Sequence, residues 1–425
     1  MLLERPTEEE VTLAGYLHDP VCVTENLFVE DVKQLDSLQY FDEDNNFKVR
    51  LYQLPFLSYD YLIADDPKIS KQSNFKLKKG SGSGYIYCGR GIGKCEWIEN
   101  KILLASGKEI KIKKLIGKTR EVLSLNENNY KIEKDTASFF DNGNRSCYKI
   151  ITVSGKEITV TSNHPLLTEK GWIEAQKLSQ YKFIAVPRSI SINGSKKVLE
   201  EEAILLGYLI GDGSCSQGTI GFTNINKELI DEIYYLADFF DCELRHRKQS
   251  YFFKNKNFKP NKTNNVKKLV KKYKINCLSK NKVLPNRVFS WSNKYIALLL
   301  NRLFACDGHL NKNNQQFEIS LASKELIYQI QSLLLRFGIK SSIYYKKATC
   351  NDKIFDAWRL YVISDLDILI NKIGIKSKDQ NYKKTNRQYN NDVIPCNLIQ
   401  NLKKEFFKYK GLWYKYSLRK ISTYN

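Results

Sequence analysis

Apolar and polar positions follow two different rhythms along this chain. From residue 95 to about 190, short runs of β-branched residues alternate with polar ones. "ILLASGKEIKI" (102–112) and "IITVSGKEITVT" (150–161) each set Ser-Gly between such runs, which predicts two hairpins. The two stretches also resemble each other, as an internally duplicated β fold would. From about 198 to 370 the rhythm becomes helical, interleaved with shorter strand-like runs. Ahead of both lies residues 1–94, where "KKGSGSG" leads into a short strand at Tyr85–Tyr87 and a glycine loop, "CGRGIGK". Residues 371–425 form a basic tail rich in Lys, Tyr and Asn, ending in the helix-like "NLIQNLKKEFFKYKGLWYKY".

The helical part contains a repeat. "FTNINKELIDEIYYLADFFDCELRHRK" (222–248) matches "ISLASKELIYQIQSLLLRFGIKSSIYYKK" (319–347), with Lys227-Glu228-Leu229-Ile230 recurring 97 positions on as Lys324-Glu325-Leu326-Ile327. Upstream of each copy an apolar run ends in Asp-Gly: "LLGYLIGDG" (205–213) and "LNRLFACDG" (300–308). Two copies of apolar helix, Asp-Gly, strands and amphipathic helix predict a pseudo-symmetric pair.

Composition and charge sharpen this picture. The 425 residues are 42% hydrophobic and include 26 tyrosines, as expected of several globular domains. No apolar run is long enough to span a membrane, and "MLLERPTEEEVTLAG" turns acidic too soon for a signal peptide. None of the ten cysteines forms a C-x-x-C, which argues against a zinc ribbon or redox pair and for a cytoplasmic, intracellular protein. The net charge of +22 is uneven: residues 1–94 carry −4 and residues 95–425 carry +26. Such a surplus, mixed with Tyr, Phe and Asn, faces a polyanion such as DNA; codon bias in an AT-rich genome is the plainer source of Lys and Asn.

A carboxylate at the end of a buried helix is costly without compensation. Pseudo-twofold symmetry would set Asp212 beside Asp307, and divalent cations relieve the repulsion of paired carboxylates, so Mg²⁺ sites are expected there. For one copy alone, Asp-Gly would be read as a helix-to-strand turn. These residues resemble the LAGLIDADG homing endonucleases with two motifs in one chain, whose motif helices pack face to face under β-sheets that straddle double-stranded DNA. The resemblance implies that Asp212 and Asp307 hold the metal and that Lys282, in "KNKVLPNRVFSWS" (280–292), supports catalysis. One departure stands out. The first motif has Gly207 and Gly211 on the helix seam where the second has Arg302 and Cys306, and an arginine there is expected to strain the seam unless it reaches solvent. A LAGLIDADG protein that binds DNA without cutting it is therefore the alternative.

Cys95 follows Gly93-Lys94, where a phosphate-binding loop needs Ser or Thr. A thiol beside its own preceding carbonyl can turn an amide into a thioester if the fold strains the bond and protonates its nitrogen. "TVTSNHPLL" (159–167) offers His164 as that acid, with Thr161 and Asn163 to polarise the carbonyl oxygen. A buried structural histidine is the plainer reading of His164 alone. Together, Cys95, the β-rich segment and the nested repeat resemble an intein, a Hint-type splicing domain. The first block matches at 95–117 and the second, "GKEITVTSNHPLLTEKGWIEAQKL", at 155–178; the resemblance makes Cys95 the nucleophile and Thr161 with His164 the activating pair. No His-Asn dipeptide occurs, so splicing within this chain is not expected, and both a truncated element and a split one with a complementary C-terminal half stay open.

The interrupted host would be residues 1–94. Gly89, Gly91, Gly93 and Lys94 suit backbone amides around a phosphate, and the segment is similar to terminase and helicase ATPases, with nucleotide bound only in the spliced host. The fold expected is α+β and multidomain: a partial P-loop segment (1–94), a Hint half-domain (95–195), a monomeric αββαββα endonuclease (196–370) and a DNA-contacting tail (371–425).

Overall fold

The computed structural model describes residues 94–382 except 127–130, 144, 169–170, 181–182, 216–217, 257–262, 312, 314, 351–352 and 381. It also gives the backbone of three strands at 57–61, 77–79 and 83–88. Gly89, Gly91 and Gly93 and the tail beyond 382 lie outside these residues. The chain divides into two compact units: one runs to Ile190 apart from Ser106–Lys108, and the other comprises Ser106–Lys108 and Ser191–Asn386.

The first unit is antiparallel β throughout. Its strands are β1 (Leu57–Tyr61), β2 (Leu77–Lys79), β3 (Ser83–Cys88), β4 (Lys94–Trp97), β5 (Lys101–Leu103), β6 (Glu109–Lys111) and β7 (Thr119–Asn126). They continue as β8 (Lys131–Asp141), β9 (Ser146–Ile151), β10 (Glu157–Thr161), β11 (Pro165–Thr168), β12 (Gly171–Glu174) and β13 (Phe183–Pro187). Seven strands form a sheet in the order β2-β9-β10-β4-β3-β8-β7, and four more form β1-β13-β11-β12. Both expected hairpins are present, as β5–β6 and β9–β10, and in each the glycine of Ser-Gly takes the left-handed backbone that lets the turn close: Gly107 at φ 84° and Gly155 at φ 81°. The strands β1, β2 and β3, from ahead of residue 94, are hydrogen-bonded into these sheets. β3 pairs with β4 through Tyr85↔Cys95 and Ile86↔Lys94, so the backbone crosses the 94/95 junction inside a continuous sheet.

The second unit is built twice from one plan. Helix α1 (Glu200–Gly211) leads to β14 (Gly213–Ser214), β15 (Gly221–Thr223), α2 (Lys227–Phe239), β16 (Cys242–Arg247), β17 (Ser250–Asn255) and α3 (Asn265–Tyr273). The second pass runs α4 (Asn293–Asp307), β18 (Gly308–Asn311), β19 (Gln316–Leu321), α5 (Lys324–Leu334), β20 (Ser342–Cys350), β21 (Lys353–Val362) and α6 (Leu366–Lys372). The sheets have matching orders, β14-β15-β17-β16 and β18-β19-β21-β20. Helix α1 buries residues on every side, as a helix with no polar face must. Helices α2 and α5 bury one stripe each: Leu229, Ile233, Leu236 and Ala237 in α2; Leu326, Ile327, Ile330, Leu333 and Leu334 in α5. Side chains of Asn226 and Ser323 cap these two helices by accepting from Leu229 and Leu326 backbone N–H groups. One core runs through both repeats, uniting Leu205, Leu206 and Leu209 of α1 with Leu299, Leu303 and Phe304 of α4. Among the described residues no helix is long and apolar enough to cross a membrane.

Candidate functional site

Helices α1 and α4 pack closely because glycine allows it. A Cβ on Gly207 would fall 3.0 Å from the Arg302 Cβ and far inside contact distance of the Leu299 carbonyl oxygen; one on Gly211 would fall 2.6 Å from the Cys306 Cβ. The two helices therefore end side by side. Asp212 is the C-cap of α1 and Asp307 the last residue of α4, and each influences the ionisation of the Cys306 thiol beside them. The structure thus brings the two carboxylates together at adjacent helix ends.

Arg302 departs from its expectation. It does not reach out to solvent: its side chain is only 12% exposed and turns to Glu232 on α2. Nε donates to Glu232 Oε2 at 3.0 Å and Nη2 to Oε1 at 2.7 Å, a bidentate pair. Tyr208 Oη donates to Glu232 Oε2 at 2.5 Å and Arg302 Nη1 to Asn301 Oδ1 at 3.1 Å. Burial alone would raise the Glu232 carboxyl, but its bonds from Arg302 and Tyr208 bring it below the ordinary carboxylate range. Charge compensation replaces the small side chain that the seam otherwise requires.

A lysine sits at the end of each motif helix. Lys282, 7% exposed, donates from Nζ to the carbonyls of Ile210 (2.8 Å), Gly211 (2.9 Å) and Gly213 (3.0 Å). Lys378 Nζ donates to the carbonyls of Cys306 (3.2 Å) and Gly308 (2.6 Å). Carbonyls at a helix C-terminus lack intrahelical partners and carry partial negative charge, so a buried ammonium there is compensated twice over. Burial lowers the Lys378 ammonium's pKa, against the pull of Cys306, Asp212 and Asp307. The sequence reading found Lys282 and missed Lys378. The repeat offset was the available signal, because Lys378 follows Lys282 by 96 positions within a frame of 95 to 97.

Burial among protein atoms and then the like charge of Asp212 raise the Asp307 carboxyl to about 6, with Lys282 and Lys378 opposing. The residue still presents surface to solvent, so its environment is crowded but open. Asn224 Nδ2 donates to Asp212 Oδ2 at 2.6 Å, fixing that carboxylate. Among the described residues no group of three or more His, Cys, Asp or Glu could form a closed metal cage. Two crowded carboxylates with an open side instead fit Mg²⁺, which is held by one or two protein carboxylates and completes its shell from water and phosphate. Burial, followed by Asp212, pushes the Cys306 thiol well up, which keeps it neutral rather than a thiolate ligand.

In the first unit, Thr161 ends β10, and Val160 pairs with Glu96 of β4. Thr161 and Cys95 each lie one residue beyond that paired position, on neighbouring antiparallel strands. Thr161 Oγ1 donates to Asn163 Oδ1 at 2.8 Å, and His164 N–H closes a turn on the Thr161 carbonyl at 3.1 Å. Thr161 and His164 are each 4% exposed. Asn100 ties the two strands, donating from Nδ2 to the Thr159 carbonyl at 2.6 Å and to Glu96 Oε2 at 3.2 Å. Nothing in the sequence marks Asn100, because its role depends on a partner strand 59 positions away.

Comparison with known proteins adds family information. Residues 294–368 match the LAGLIDADG-like domain model, so this region is a LAGLIDADG-like domain. Over 297 residues the chain is 31% identical to replicative DNA helicase DnaB of Synechocystis, covering 65% of this chain and 34% of that protein. It is 30% identical to protein RecA of Mycobacterium bovis over 221 residues, covering 49% and 28%. The chain spans about a third of the DnaB relatives it matches, 34% and 36%. A structure of I-DmoI in complex with DNA and Mn is similar at 14% identity and a TM-score of 0.30, covering 41% of this chain and 96% of that one.

Proposed function

We propose that the second unit is a Mg²⁺-dependent endonuclease acting on double-stranded DNA, nested in a splicing element that begins at Cys95. The observation that carries the nuclease reading is the pair of helix ends, each bearing an aspartate and capped by a lysine whose ammonium bonds the terminal carbonyls. Asp212 and Asp307 would hold Mg²⁺, which when bound supplies charge neutralisation at the phosphodiester and an acidified water. Lys282 and Lys378 keep the helix ends, and with them both carboxylates, in place, and set positive charge where a phosphate arrives. Exposed Arg245 and Arg247 on β16, and Tyr345 and Lys347 on β20, lie at alternate strand positions, as a sheet surface for a DNA backbone requires. The alternative, binding without cleavage, was raised by Arg302 in the seam; the bidentate pairing of Arg302 with Glu232 supports the cutting reading because it gives that arginine a partner inside the fold.

Two observations support the splicing reading. The first is the pairing of β10 with β4 at Val160↔Glu96, one residue from both Thr161 and Cys95. The second is the breadth of the relatives: an alignment of 297 residues with a helicase cannot fit within residues 1–94, and a RecA protein is matched as well. An element inserted into unlike hosts gives that pattern, and the helicase match favours the helicase-like host. In the reaction, the Cys95 thiol attacks the Lys94 carbonyl carbon. The new C–S bond forms as the Lys94–Cys95 C–N bond breaks, with His164 delivering a proton to the departing amine and Thr161 and Asn163 serving the carbonyl oxygen.

The nuclease test is conversion of supercoiled plasmids bearing a library of inserted sequences to nicked or linear form in Mg²⁺, with binding measured in Ca²⁺. Cutting by the native chain, lost in Asp212→Asn and in Asp307→Asn with binding kept, is expected. Cutting that survives both substitutions would remove the metal assignment.

A further inference from the structure

The two lysines at the helix ends are held by different kinds of contact at their two ends. Their ammonium groups cap the motif helix of their own repeat, as described above. The segments that carry them are anchored elsewhere. The Lys282 carbonyl accepts from Ser323 Oγ at 2.6 Å, and Leu284 N–H donates to Gln329 Oε1 at 2.7 Å while Gln329 Nε2 returns a bond to the Leu284 carbonyl at 3.4 Å. Ser323 and Gln329 belong to α5 and its cap, in the second repeat, and are 2% and 5% exposed. The Lys378 segment is anchored in mirror fashion by α2 and its cap, in the first repeat. Asn226 Nδ2 donates to Ser377 Oγ at 3.1 Å, and Glu232 Oε1 lies 3.5 Å from Lys376 Nζ. Through Arg302, Glu232 also steadies Asn301, whose amide bonds the Ile373 carbonyl at 2.8 Å and the Lys376 N–H at 3.1 Å.

The anchoring residues correspond: Asn226 with Ser323 and Glu232 with Gln329, both pairs 97 positions apart. We propose that these four are positioning residues in a reciprocal brace, in which each repeat's amphipathic helix places the lysine that serves the other repeat's motif helix. The inference rests on the nuclease reading above. On the Lys282 side, buried Ser323 and Gln329 satisfy backbone groups directly. On the Lys378 side, half-buried Asn226 and Glu232 hold side chains of the segment while Asn301 bonds its backbone. Such directional bonds fix a segment where apolar packing alone would not. Each lysine therefore keeps its place only while the opposite repeat is intact, and the two halves of the site are conditional on one another. The chemistries differ: a neutral amide braces Lys282, whereas an ion-pair network braces Lys378. That difference makes the halves separately addressable.

The test uses the full chain and a target duplex selected from the plasmid library, labelled on each strand in turn. Glu232→Gln and Gln329→Met are compared with the native chain, and each is expected to slow one strand by about 10- to 100-fold, the range for residues that support a metal-site group from behind. The two variants are expected to slow opposite strands, with binding in Ca²⁺ unchanged. Hydrogen exchange supplies a readout independent of cutting: Glu232→Gln should speed exchange in 373–379 and leave 279–284 alone, and Gln329→Met should do the reverse. Where Glu232→Gln weakens the fold enough to lose binding, Ser377→Gly removes one strut without touching α2 and should show the same strand bias. Equal slowing of both strands, or exchange rising only in the substituted helix, overturns the brace while leaving the nuclease reading standing. If the native chain cuts no duplex but the exchange pattern holds, the nuclease reading falls and the brace survives as a structural device.

Discussion

Lys378 stands to α4 as Lys282 stands to α1: each ammonium closes the carbonyl end of a helix that terminates in a site aspartate. Lys378→Met should leave those carbonyls without their donor and lower Mg²⁺-dependent cutting by about 10- to 100-fold. Lys282→Met should do the same, and measuring single-turnover rates for both variants checks whether the two lysines are equivalent.

The raised Asp307 carboxyl makes a signed prediction about pH. Its value of about 6 lies above the ordinary 3.8, so the metal-free fold holds a proton there that the unfolded chain has released. Between these values the residue's contribution to stability falls as pH rises, and the penalty is complete above about 6. In EDTA, the difference in melting temperature between Asp307→Asn and the native chain should therefore grow from pH 4 to pH 7. Mg²⁺ should shrink it at pH 7. A difference independent of pH would show that neither burial nor Asp212 raises the Asp307 carboxyl.

Gly207→Val should be severe. Its side chain would meet the Leu299 carbonyl and the Arg302 Cβ, neither of which can retreat without parting the helices. Overpacking of this kind costs about 1–3 kcal/mol. A urea midpoint reports that loss, and cutting should fall further than stability does, because separation of α1 from α4 also separates the carboxylates.

Arg302→Ala would leave Glu232 inside the fold without its bidentate partner, at a cost of about 3 kcal/mol. The double change Arg302→Met with Glu232→Leu removes both charges and should recover most of that loss. Chemical denaturation of Arg302→Met, Glu232→Leu and the double variant against the native chain provides the cycle, and additivity in it would mean that the pair is not coupled.

Dithiothreitol should release a fragment ending at Lys94, read by intact mass, if the acyl shift takes place at Cys95. Cys95→Ala should abolish the release, and His164→Gln should slow it by about 100- to 10,000-fold. Release that persists in Cys95→Ala would place the reactive bond elsewhere.

The duplicated unit was legible in the sequence because its signals are local: two apolar runs ending in Asp-Gly and two matching amphipathic helices at one offset. Asp212 and Asp307 followed from those runs, and Lys282 from the family resemblance of "KNKVLPNRVFSWS". Lys378 lay in an unremarkable stretch, "GIKSKDQ", whose meaning comes only from where the chain returns to α4. Arg302 was read correctly as an anomaly, but its remedy, Glu232, is 70 positions away on another helix and no periodicity links them. The β hairpins were found from Ser-Gly turns. The strand pairings across residues 94 and 95 were not, since long-range register has no short sequence signature.

The close approach of Gly207 to Arg302 constrains what this chain can have descended from and what it can become. The two residues are counterparts 95 positions apart, so each meets the other across the pseudo-twofold axis. A homodimer of the second repeat would bring Arg302 against Arg302, with two guanidinium groups confined to a seam that admits one. The arginine could therefore enter only after the repeats had been fused and had begun to diverge. Once in place, it has made the fusion a one-way step: the second half can no longer pair with itself, and its only remaining mate is the half encoded just upstream.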